Sequence, residues 1–462
     1  MPLHLALLAL LLGVAADVTA LGREWTFSFI DAVGIGVACA GAVVAWRRRT
    51  VRLDRALVGY LGLLAVIGVQ AFLRDDQAAI VGGASRFVTA TLLLFGLSQL
   101  ALARDEDWSE LWQWPLAIAM FGSALAAWVV VPFVGALADP AITTFYDVKN
   151  AVVTPLGASN YLAAFLLVAF LVVLVHGVEQ RRLWFWAAAA TLIGLLATMS
   201  RGAIAAAVAV LLGLGLAWRE RHAVIRAAAA VGVAGIAFGL VAVIAAGLAS
   251  SPGDVELASP DLRASPSDQA PDQPPTTRRQ PSSVTPSGDD ASDPDRPRAG
   301  APDRPDADGP GLSQLDGALS VLAFGGRRQL YGASWQAFLD HPAFGVGVNQ
   351  LQTYTGRGGH PPHVNAHNLT LHALATTGIF GTVAYLGIWI LLVWRLWSLP
   401  SSTARTALLA GVVALLLHAQ VEALSHTRAI EAFVVVVLVI AGSAPGAVGV
   451  RDRRRPSVQA QG

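Results

Sequence analysis

The sequence predicts an all-α, polytopic membrane protein of about 12 transmembrane helices, with a large external loop carrying short helices. Three observations predict it. The 462-residue chain is 55% hydrophobic and only 14% charged, which excludes an ordinary soluble globule. Apolar runs of bilayer-spanning length recur along it. Its arginines alternate between loops in the manner that orients membrane helices.

A spanning helix takes about 20 apolar residues. That rule places spans near 3–22, 27–46, 56–73, 79–103, 111–135, 157–178, 183–199, 202–218, 224–249, 369–394, 404–423 and 429–448. The first run, MPLHLALLALLLGVAA, has the apolarity of a signal peptide. Its n-region lacks Lys or Arg, so an uncleaved span is expected. With a cytoplasmic N-terminus, the inside loops and tail hold 17 basic residues, from Arg47, Arg48 and Arg49 through Arg395 and Arg405 to Arg455. The short outside loops hold five: Arg23, Arg74, Lys149, Arg201 and Arg428. That asymmetry satisfies the positive-inside rule. The expected order is nine helices over 1–249, three more over 369–448, and a basic cytoplasmic tail over 449–462.

Residues 250–314 break the pattern. Thirteen of the chain's 24 prolines fall between Pro252 and Pro310. Residues 251–320 carry 13 Asp/Glu against 6 Arg, a net of −7, so the remainder must carry +8 to give the chain's +1. Such a composition cannot bury enough apolar area to offset chain entropy, and a disordered external linker is expected. Cys39 is the one cysteine, so no intrachain disulfide can form.

The chemistry gathers in the external loop at 315–368 and at the helix ends around it. A helix with Leu330, Trp335, Phe338 and Leu339 as apolar positions follows Arg327 and Arg328. Asp340-His341-Pro342 should end it, because proline disfavours helical geometry in the residue before it. Gly345 and Gly347 permit a tight turn. His360, His363 and His367 then lead directly into an apolar helix. An arginine near the hydrocarbon costs roughly 2.5–3.5 kcal/mol at a helix centre, which singles out Arg86 and Arg201. With Arg327 and Arg328 they could converge on an anion, since guanidinium forks match phosphate oxygens. Pairing with a carboxylate or with lipid headgroups is the alternative. His367 is suited to general base work near neutral pH. The spacing from His360 to His372 is H-x2-H-x3-H-x4-H, which fits no zinc pattern, and no metal is expected. His418 and Glu422 stand at i, i+4 on the eleventh span, as an interhelical contact or as part of the site.

At these residues the chain resembles the O-antigen ligase/polymerase superfamily of bacterial membrane glycan transferases. His367 and Asn368, nine further residues, then Gly378 and Gly381 match the family pattern H-[NSQ]-x9-G-x2-[GTY]. GRRQLYGASWQAFLDHPAFGVG is similar to the family's arginine helix and its HP-x2-GVG turn, which puts the external arginine on Arg327, with Arg328 the alternative. TMSRGA resembles the motif that puts a diphosphate contact on Arg201. TPLGASNYLAAF resembles a G-x2-N segment at Gly157 and Asn160, and Arg86 matches less closely. The resemblance implies a donor glycan on undecaprenyl diphosphate, at the external face of the cytoplasmic (inner) membrane. It implies His367 acting on an acceptor hydroxyl, inversion at the anomeric carbon, and arginines stabilising the departing diphosphate. Asn368 and Asn160, which lie in the matching motifs, would support them; His363 and Glu422 join the supporting set from the reading of the residues alone. It implies neither metal nor nucleotide cofactor, and no nucleic-acid partner. The resemblance leaves the acceptor open among a lipid, a wall polymer and a protein.

Three functions compete: a glycan ligase, a repeat-unit polymerase, and a transporter without covalent chemistry. A transporter should show internal repeats and broken helices near the midplane. Here the polar groups gather at one membrane face, which favours transfer, with ligase ahead of polymerase.

Overall fold

A computed structural model describes residues 29–51, 53–74, 77–102, 113–139, 148, 152, 159–177, 182–218, 325–354, 365–422, 424 and 428–443. Among these residues the regular structure is helical, without strands. In order come α1 (Phe29–Arg48), α2 (Arg55–Leu73), α3 (Gln77–Leu102), α4 (Gln113–Ala138), α5 (Ser159–Gly177), α6 (Arg182–Ala197) and α7 (Arg201–Trp218). Then follow α8 (Gly325–Asp340), a 3₁₀ turn (Leu351–Tyr354), α9 (Leu369–Ser398), α10 (Thr403–Ala419) and α11 (Arg428–Ser443). Helices therefore occupy the expected positions from 27–46 through 202–218 and from 369–394 through 429–448. Five of them are long and apolar enough to cross a membrane: 30–48, 55–73, 80–101, 118–137 and 369–398. Shorter apolar helices stand at 160–176, 184–197, 201–215 and 403–419. The expected spans at 3–22 and 224–249, the linker, Gly157, His360, His363 and the tail lie outside the described residues, as does the Arg328 side chain.

Helix α5 is the centre of one group. Its residues from Leu162 to Val175 are almost wholly buried, as a helix apolar on every side must be. It is surrounded by α4, α6, α7 and α10. In a second group, α3 packs on α1, α2 and α11, while α9 lies along α2. Helices α1 and α3 touch backbone to backbone: a Cβ on Gly41 would come within 2.7 Å of the Gly96 Cα. Small residues at such crossings allow the close packing that drives association in lipid.

The loop after α8 and the start of α9 are one interlocked unit. Helix α8 ends at Asp340, immediately before His341-Pro342, as the sequence predicts. The turn that follows places Gly345 at φ 71° and Gly347 at φ 112°. It wedges into a break in α9. The 369–394 span expected as one helix is interrupted at Gly378, whose φ is 63° and ψ −167°. Backbone groups freed there are taken by the turn. Val346 N–H donates to Ala375 O at 2.9 Å, Gly347 N–H to Thr376 O at 3.1 Å, and Ile379 N–H to Pro342 O at 2.8 Å. Gln70 of α2 donates to Thr376 O at 2.7 Å and also to Phe344 O, and Arg74 donates to Gly345 O at 3.0 Å. Broken backbone in a membrane protein is tolerated only where such partners satisfy it. Only glycine fits at 378: a Cβ would lie 2.3 Å from Ala343 O.

Candidate active site

The site forms where α5, α8, α9 and α10 end together, around one carboxylate. Helix α10 stops at Ala419, and Gln420 caps it. The expectation that His418 and Glu422 share a helical face is therefore corrected: Glu422 lies beyond the helix. The physical reason is the competition for the last carbonyls, which a helix end leaves without internal partners. Gln420 O accepts from Asn368 Nδ2 at 2.9 Å, and Val421 O accepts from Arg327 Nη1 at 2.6 Å. Glu422 is thereby turned inward, with only 4% of its side chain exposed.

Three side chains converge on it. Arg327, in the first turn of α8, donates from Nη2 to Glu422 Oε1 at 2.8 Å. Asn160, in the first turn of α5, donates to Oε2 at 2.7 Å. His367 Nδ1 stands 3.5 Å from the same Oε2. Burial pushes the Glu422 carboxyl up. The His367 imidazole and the Arg327 guanidinium outweigh that and hold it down at about 2, because neighbouring donors and positive charge favour the anion. Arg327 and His367 are still open to a ligand, with 24% and 32% of their side chains exposed.

His367 owes its place to local chain geometry. Its φ is 52°, and its N–H donates to Asn365 Oδ1 at 3.0 Å. Asn368 is the N-cap of α9, its Oδ1 accepting from Leu371 N–H at 2.8 Å. Asparagine is well suited to that position. Its Nδ2 reaches across to Gln420, so one residue both starts α9 and ties it to α10. Thr370 Oγ1 adds a contact to Gln420 Oε1 at 3.1 Å.

Arg201 opens α7 at the same end and is exposed. Its neighbour Gly202 abuts Val421, Glu422 and His418: a Cβ there would lie 2.6 Å from Val421 Cγ2 and 3.3 Å from Glu422 Cγ. Ser200 Oγ lies 3.3 Å from His418 Nε2. Arg86, expected at the diphosphate, is buried in a second polar group inside the bundle. Its guanidinium lies 4.6 Å from the Phe87 ring centroid, and Phe87 meets Tyr385 edge-on at 5.7 Å. There Tyr60 and Tyr385 both donate to Glu431, at 2.9 and 2.6 Å.

The structure thus unites Arg327, His367, Asn160 and Glu422, brings Asn368 beside them, and places Arg201 at the same end. Sequence reasoning missed Gln420 and Asn365. The Asn two residues before His367 is an Asx-turn signal and could have been read; Gln420 carries no local signal.

A comparison with known families agrees with this region. Residues 186–386 match the family model described as O-antigen ligase. The match takes in Arg201, Arg327 and His367, and leaves Asn160 and Glu422 outside it. No curated protein matches the chain.

Proposed function

On the premise of an O-antigen ligase-like segment over residues 186–386, we propose that this protein is a membrane glycan ligase. It moves a glycan from a polyprenyl diphosphate, of the undecaprenyl class, to an acceptor hydroxyl at the outer membrane face. The observation that carries the reading is the meeting of Arg327 and His367 on the buried Glu422, at 2.8 and 3.5 Å, beside the α7 terminus that bears Arg201. A base and a phosphate-matching cation share one carboxylate, where a lipid-borne diphosphate would present its headgroup.

The chemistry balances with those groups alone. The acceptor O–H yields its proton to His367 Nε2 as its oxygen attacks the anomeric carbon. The bond from that carbon to the diphosphate oxygen breaks, and the diphosphate leaves with the electron pair. Attack opposite the leaving group inverts the anomeric centre. Arg327 and Arg201 stabilise charge as it develops on the leaving oxygens. Placement supplies the rest, since holding donor and acceptor in register removes the entropy of their encounter.

The test is transfer in proteoliposomes, with a polyprenyl-diphosphate oligosaccharide as donor and a hydroxyl-bearing glycolipid as acceptor. The wild type should form the inverted product. His367→Ala should lose about 10²–10⁴-fold in turnover, the usual contribution of a general base. Arg201→Lys should express normally and lose most activity, because lysine keeps the charge and lacks the planar fork. Near-normal rates in both variants would defeat the proposal.

A further inference from the structure

Glu422 occupies an unusual position for an acidic residue. It lies where the proposed reaction needs a dianion to bind, it is nearly fully buried, and it sits outside the matched segment. A carboxylate there would repel a diphosphate unless its charge were committed elsewhere. It is committed on both oxygens: Oε1 takes Arg327, and Oε2 takes Asn160 and faces the imidazole of His367.

The three partners come from three separate parts of the chain. Asn160 belongs to α5, the most deeply packed helix of the bundle. Arg327 is carried by α8, and His367 by a residue with positive φ just before α9. A side chain fixed to α5 and touching both others transmits the stiffness of the bundle to them. Catalytic groups need such support, since a site without a locked surrounding shell is too loose to work.

Resting on the transfer reading above, we propose that Glu422 is the positioning residue of this site, pinned by Asn160 and orienting both His367 and Arg327. With Nδ1 turned to Glu422, the ring directs Nε2 to the acceptor hydroxyl. As that hydroxyl gives up its proton, positive charge forms on the imidazole 3.5 Å from the carboxylate, and the carboxylate stabilises it, as an acidic partner does for the histidine of other acyl- and group-transfer sites. Arg327 spends one N–H of each terminal nitrogen on Val421 O and Glu422. Among the described residues, its Nε–H and the second N–H of each terminal nitrogen remain for phosphate oxygens. Glu422 therefore aims the guanidinium without consuming it. Its carboxyl, held at about 2, is an anion throughout the working range.

The isosteric Glu422→Gln variant tests this in the same proteoliposome assay. Turnover should fall about 100-fold while the donor KM stays within about threefold, the pattern of a group acting in the transition state. In a His367→Ala background, the same substitution should cost about tenfold or less, because only Arg327 is then left for Glu422 to orient. Asn160→Ala, which frees the carboxylate from α5, should lower turnover about tenfold at unchanged donor KM. Full turnover in Glu422→Gln would overturn the proposal. So would equal losses in both backgrounds, or a loss that tracks a fall in melting temperature, since either marks a merely structural role. An inactive wild type would instead condemn the transfer reading, so the two failures are told apart.

Discussion

Two arginine–carboxylate bridges stand at opposite ends of α9 and look alike as bonds. Near the C-terminal end, Arg395 grips Asp54 through both terminal nitrogens, at 2.6 and 2.9 Å. Beyond the N-terminal end, Arg327 meets Glu422 at 2.8 Å. The difference lies in what else the carboxylate holds. Asp54 caps α2, accepting from Ala56 N–H at 2.8 Å, and Arg395 also donates to Leu438 O of α11 at 3.4 Å, so this bridge ties helix to helix. Glu422 belongs to no helix and shares its oxygens with Asn160 and a half-exposed histidine. The comparison teaches that an ion pair is structural or functional according to its company, since distance and burial are much the same in both.

Breaking each bridge in the same way should separate them most widely. Arg327→Lys should lose about 100-fold in turnover, the scale for removing a donor aimed at developing charge, with little change in melting temperature. Arg395→Lys should do the reverse. It should cost about 1.5–3 kcal/mol of stability, as lost charge-assisted hydrogen bonds do, with turnover per folded molecule intact. Melting curves and transfer rates on the same preparations check both. Matching behaviour in the two variants would erase the distinction drawn here.

A smaller effect is expected from the scaffold beside the Arg327–Glu422 bridge. Gly378→Ala puts a Cβ against Ala343 O at a φ of 63°, a strain of roughly 1–3 kcal/mol. Amides of Val346, Gly347 and Ile379 should exchange faster with solvent, while those around Asp54 stay protected. Hydrogen exchange with and without the substitution measures it. Unchanged protection at residues 346–347 would show that the turn does not depend on the break in α9.

Acid should give the smallest effect under working conditions. The Glu422 carboxyl is lowered from 4.5 to about 2 in the folded protein. Its contribution to stability is therefore complete above pH 4.5 and is lost as pH falls toward 2. Melting temperature at neutral pH should not respond to it. Between pH 4.5 and 2, wild type should lose more stability than Glu422→Gln, and a pH series on both proteins shows whether it does.

Much of this architecture was legible before any coordinates. Proline after His341 stops α8 where the preceding-residue rule says it should, and Asn368 ahead of an apolar run marks the start of α9. These are contacts within a few residues of chain, and local rules govern them. Arg201, Arg327 and His367 could be named because an arginine at a membrane boundary and a histidine before a helix are unusual in themselves. Other features had no local signature. Glu422 read as one face of a longer helix, because nothing nearby revealed that Asn368 and Arg327 would claim the carbonyls at its end. Arg86 stood out as an intramembrane arginine, but no local signal showed that Tyr385 and Glu431, far along the chain, would be its neighbours. Local chain chemistry located the described helices and marked the residues with unusual chemistry, but neither the end of α10 nor the break in α9. Which of these groups meet depends on how whole helices pack, since Asn160 and Glu422 are 262 residues apart.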